Sequence, residues 1–168
     1  MPDPVDPQSL RTAREAEGYY ELGIFDEALR RAESLLADGK LESFAVSMRA
    51  ECLRSLGRWQ DGTSAFEEVL RRSPDDVSAH VGLGWCWKRA GRLDLAKEAM
   101  ERLLRRRTAE PIGLYNLACY CALAGERERA LALLARSIEE DANFRTLART
   151  EEDFASLRDE PEFQRILG

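Results

Sequence analysis

Apolar residues recur along this chain three and four positions apart, the spacing of helices that each bury one face. Leu29, Ala32 and Leu36 form one such stripe. Phe66, Val69 and Leu70 form the next, followed by Leu95, Ala99, Leu103 and Leu104, and by Leu131, Leu134 and Ile138. Alternation of period two, the mark of a half-buried strand, is missing. The pattern predicts an all-α chain with helices paired at 9–22 and 25–38, 42–56 and 59–72, 76–90 and 93–106, and 111–124 and 127–140. Turn chemistry supports the joins: in Ser73-Pro74-Asp75-Asp76 the proline stops one helix and either aspartate can cap the next. The join across 37–43 has no proline, so its register is the least defined.

Between the helices of each pair stands a glycine, and Gly23, Gly57, Gly91 and Gly125 are each 34 residues from the next. Seven residues before each glycine lies a small residue (Ala16, Ala50, Gly84, Ala118), and five after it another (Ala28, Gly62, Ala96, Ala130). Two residues after it come Phe25, Trp59, Leu93 and Arg127. The mechanism is that glycine supplies a left-handed helix end, small residues let antiparallel helices approach, and a large apolar residue plugs the gap.

Tyr19-Tyr20-Glu21-Leu22-Gly23-Ile24-Phe25-Asp26-Glu27-Ala28, Gly57-Arg58-Trp59-Gln60-Asp61-Gly62, Gly91-Arg92-Leu93-Asp94-Leu95-Ala96 and Gly125-Glu126-Arg127-Glu128-Arg129-Ala130 carry a resemblance to the tetratricopeptide repeat family across residues 9–144. The resemblance implies an all-α, right-handed α-α superhelix, or solenoid, of antiparallel helix pairs. Its units are 9–42, 43–76, 77–110 and 111–144, after a disordered lead at 1–8. Residues 145–168 are similar to the closing segment of many bacterial members, and Phe154, Leu157, Phe163 and Ile166 are expected to cover the last apolar face. Two positions depart from the pattern. Gly62 should loosen the second unit, and Arg127 should leave the fourth turn solvated.

Composition narrows function. At 168 residues with 44% hydrophobic and 33% charged residues, the chain suits one short array. No apolar run approaches a membrane span, and Met1-Pro2-Asp3-Pro4 does not open a secretory leader, so a cytoplasmic protein is expected. A net charge of −6 argues against a nucleic-acid surface, and the run Arg102, Arg105, Arg106 and Arg107 reads as a helix end. Cys52 and Cys86 are one period apart and read as core residues, while Cys119 and Cys121 lack metal-ligand spacing. His80 is the one histidine. With no nucleophile-base pair and no phosphate loop, neither enzyme activity nor a cofactor or metal is expected.

The binding surface is then the concave groove, lined by the first helix of each pair. The period aligns Glu17, Glu51, Trp85 and Cys119 in one row, and Tyr20, Arg54, Lys88 and Ala122 in another. Ala13, Ser47, Val81 and Tyr115 form a third, and Leu10, Phe44, Ser78 and Ile112 a fourth. Family members that grip acidic chaperone tails carry a cationic clamp on these rows; Ala13, Glu17, Met48, Ser78 and Gly82 stand there instead, so that use is disfavoured. Trp85, Phe44 and Tyr115 are the candidate aromatic anchors, with Lys88, Arg89 and Arg54 available to partner acids and Glu17, Tyr20, Glu51 and Asn116 completing the groove. The competing reading is that Trp85 or Tyr115 packs on a neighbouring helix. The expected function is a scaffold or adaptor for a protein or peptide partner; the alternative is a structural or regulatory module acting by homo-oligomerisation or within a larger complex.

Overall fold

The computed structural model describes residues 6–168, so the first five residues of the expected lead lie outside the described residues. The rest of that lead is ordered. Helix α1 spans Pro7–Glu21, and the Asp6 carboxylate caps it by accepting the Ser9 backbone N–H at 2.9 Å and the Ser9 hydroxyl at 2.6 Å. These bonds hold the Asp6 carboxyl below its ordinary pKa. Then follow α2 (Phe25–Ala37), α3 (Glu42–Ser55), α4 (Trp59–Arg72), α5 (Val77–Arg89), α6 (Leu93–Arg106), α7 (Pro111–Leu123), α8 (Arg127–Glu140) and α9 (Asn143–Thr150). A 3₁₀ segment, Glu152–Leu157, and α10 (Pro161–Leu167) complete the chain. No strand occurs among the described residues.

The chain divides into two compact units, one running to Cys86 and the other from Trp87. In the first, α1 packs on α2, α2 on α3 and α3 on α4, with α1 also reaching α3. Ala16, Ala28 and Ala50 retain no exposed surface, the close approach expected of the small positions. Gly62 is not a loose point. A Cβ there would stand 3.0 Å from the Cys86 thiol sulfur, so the glycine makes room for a side chain of α5. Phe66 is packed harder still: a Cβ on Gly82 would lie 2.3 Å from its ring. His80 is buried, its Nε2 donating to the Pro74 carbonyl at 3.0 Å, and Asp76 caps α5 through the Ala79 N–H at 2.9 Å.

In the second unit α6 packs on α7 and α7 on α8, while α8 receives α9 and α10. The 3₁₀ segment lies on α7. Phe144, Phe154, Leu157 and Phe163 are buried; at the C-terminus it is Leu167 rather than Ile166 that is buried fully, because the helical register of α10 turns Ile166 partly outward. Arg127 is exposed as expected and pairs with Glu160 at 2.5 Å, tying the turn to α10.

Candidate functional site

The four period glycines all adopt positive φ, between 73° and 76°, and each turn closes with the same pair of bonds. Gly23 N–H donates to Tyr20 and Ile24 N–H to Tyr19; the matching bonds recur at Gly57 and Arg58, Gly91 and Arg92, and Gly125 and Glu126. These repeated caps fix where the first helix of each pair ends, and hence which of its residues stand in a row.

In the first unit the caps bring Glu51, Arg54 and Trp85 together. Arg54 sits 5.5 Å over the Trp85 ring and gives Nε–H and Nη2–H bonds, 3.0 and 2.7 Å long, to one oxygen of Glu51. Burial lowers the guanidinium's pKa, but the bonds and charge of Glu51 together outweigh it, so the cation is secure. Trp59, read from the sequence as a plug between helices, meets Trp85 edge-on at 5.1 Å and 76°, propping it half-exposed. Tyr20 shares a 3.2 Å hydrogen bond with Ser55 and packs on Phe25, while Glu17 is exposed on α1. Glu51 also lines a hollow of about 40 Å³ together with Ser47, Asp76, Ser78, Phe66, Val69 and Ala79. Phe44 is half-buried and packs with Leu36 and Leu41 against the Ala13–Leu35–Ala45 core.

In the second unit the predicted row is covered. Tyr115 is 6% exposed, held between Phe144 at 4.7 Å and Phe154 at 5.8 Å, and Cys119 is 2% exposed. Lys88 bonds Asp153 of the 3₁₀ segment at 2.5 Å. Tyr115 is therefore not an open anchor: the chain's own C-terminal segment occupies the face of α7 on which it lies. One sequence signal marks this. Residues 111–123 contain no charged side chain, and a helix without a polar face is buried all round. Asn116 turns its amide back to the Ile112 carbonyl at 2.9 Å, whereas Arg89 is exposed.

The thiols offer no reactive site. All four cysteines are buried, and burial pushes Cys52 up to about 12 and Cys86 and Cys121 up to about 11. Cys119 is raised further, by burial and then by Asp153 and Glu151. No cluster of three potential metal ligands occurs among the described residues, and no helix among them is long and apolar enough to cross a membrane.

Comparison with known families agrees with this geometry. Residues 47–111 match a family model described as "Tetratricopeptide repeat", and the helix pairs on either side continue the same period and caps. Residues 47–111 are tetratricopeptide repeats, and the chain as a whole takes the fold of that family. No curated protein matches the sequence. Among solved structures, the chain is similar to residues 41-end of MamA from Desulfovibrio magneticus RS-1, at 15% identity and a TM-score of 0.77 over 98% of this chain and 96% of that one. It is also similar to TTC0263, a thermophilic tetratricopeptide repeat protein of Thermus thermophilus (19% identity, TM-score 0.71, 94% and 87% covered). A tetratricopeptide repeat protein from Parabacteroides merdae gives 18% identity and a TM-score of 0.61 over 93% and 68%. At these identities the likeness is one of fold.

Proposed function

We propose that the protein is a non-catalytic interaction scaffold that takes a protein or peptide partner on the face of the first unit carrying Glu51, Arg54 and Trp85. Tetratricopeptide repeat proteins as a family serve protein–protein contacts, and the observation that supports this use is the half-exposed Trp85 held between Arg54 and Trp59. A rigid aromatic and a fixed guanidinium give contact area and directed hydrogen bonds at small entropic cost, which is the composition of a binding hot spot. A photo-crosslinking residue at Ser47, beside this face, is expected to capture a partner from native lysate that a label at exposed Arg30 of α2 does not, and Trp85→Ala is expected to abolish capture. Equal labelling from both positions would remove the assignment. A second reading, self-association through the C-terminal end, draws on Leu147 of α9, which is 53% exposed. Light scattering tests it, and a monomer at all micromolar concentrations would exclude it.

A further inference from the structure

The second unit shows a segment lying on row positions, and its chemistry is specific. Asp153 places its carboxylate on Lys88, and the next residue, Phe154, sets its ring edge-on to Tyr115 at 5.8 Å. The period makes Arg54 the counterpart of Lys88, Val81 that of Tyr115 and Trp85 that of Cys119. One repeat earlier, therefore, the same offsets present a cation beside apolar and aromatic surface, and there Val81 and Trp85 are half-buried where Tyr115 and Cys119 are buried. Arg54 is also incompletely used. Glu51 takes Nε–H and one N–H of Nη2, which leaves the N–H groups of Nη1 without an acceptor among the described residues.

Resting on the partner-binding reading above, we propose that this face recognises a linear motif in a partner protein in which a carboxylate residue is followed directly by an aromatic one. The carboxylate bonds the outward N–H groups of Arg54, and the aromatic ring packs on Trp85 and Val81, as Asp153 and Phe154 do on Lys88 and Tyr115. Glu51 keeps the guanidinium oriented and does not need to leave. The pairing is charge-complementary at one point and apolar at the next, which sets the order of the two residues in the motif.

The probe is an acetylated, amidated peptide with the sequence of residues 151–157, Glu-Glu-Asp-Phe-Ala-Ser-Leu, added to the full chain, with Trp fluorescence and calorimetry as readouts. Binding is expected to weaken by about tenfold or more in Arg54→Gln, as for loss of a charged hydrogen bond, and to recover in part in Arg54→Lys. Replacing Asp by Asn or Phe by Ala in the peptide should weaken it similarly, while Arg30→Gln should leave it unchanged. Circular dichroism of Arg54→Gln must match the wild type. Three results would overturn the proposal: no binding at millimolar peptide; binding that depends on Lys88 and not Arg54, which marks displacement of the chain's own segment; or an Arg54-dependent dimer without peptide, which makes a second copy the occupant. If Ser47 crosslinking succeeds while the peptide fails, the face stands and the motif alone is wrong.

Discussion

Single atoms decide how the repeat is varied. The three equivalents of Gly62 are alanines without exposed surface, and Gly62 differs because the Cys86 sulfur fills the space a methyl would take. Alanine at 62 would gain about 1 kcal/mol of helix propensity, but overpacking against the sulfur costs about 1–3 kcal/mol. Gly62→Ala is therefore expected to destabilise the wild type and to stabilise a Cys86→Ala background, measured by urea unfolding of the four members of the cycle; the same sign in both backgrounds would refute the contact. Glu126 gives a second test at this scale. Lys97 and then Arg129 hold its carboxyl down to about 2 from an ordinary 4.5. A lowered folded pKa gives stability that is full above 4.5 and is lost as pH falls toward 2. The stability difference between wild type and Glu126→Gln should shrink across that window, and a difference independent of pH would mean that the carboxylate is not held by these cations.

Helix ends carry the repeat. Nothing lies within 4 Å of a Cβ built on Gly23, Gly91 or Gly125, so alanine at each meets only the cost of a left-handed backbone. That cost is about 1 kcal/mol, or a melting-point drop of about 2–4 °C for a chain of this size. The three substitutions should match in thermal unfolding, and Gly57→Ala should cost more, because its Cβ would meet the Trp59 ring at 3.3 Å. Unequal losses among the first three would show that the caps are not equivalent. The helices themselves are legible in the sequence, since periodicity, Pro74, Pro111 and the glycines are local signals, and the observed bounds fall within two residues of those expected. Less of the site is legible. Rows counted by period say which residues are equivalent but not what covers them, so Trp85 and Tyr115 look alike in sequence although one is half-exposed and the other lies under Phe154. The support that Trp59 gives Trp85 escapes a reading of the sequence because it depends on packing between α4 and α5, which no local pattern records.

Across the whole chain, equivalent row positions differ in how far they are buried: Val81 and Trp85 are half-buried, whereas Tyr115 and Cys119 are buried. In the unit from Trp87 onward, occupation rests on Phe154, which is fully buried and touches both Tyr115 and Phe163. Phe154→Ala should cost about 3–5 kcal/mol and release the 3₁₀ segment from α7 before the helices separate, because few other apolar side chains hold it. Cys119 reports this release. Its thiol is suppressed by burial and by the nearby Asp153 and Glu151 charges, and all three causes belong to the covered state. Lifting the segment removes them together, so modification of Cys119 by a soluble disulfide reagent should accelerate by about a hundredfold or more for a loss of about 3 kcal/mol. Cys121, directed toward Glu126 and Arg129, should react later, and Cys52 and Cys86 of the other unit should keep their wild-type rates, as mapped by mass spectrometry of the labelled positions. Simultaneous reaction of Cys119 and Cys121 would mean that the segment is part of the core of its unit, and that the face of α7 has no open state for a partner to meet.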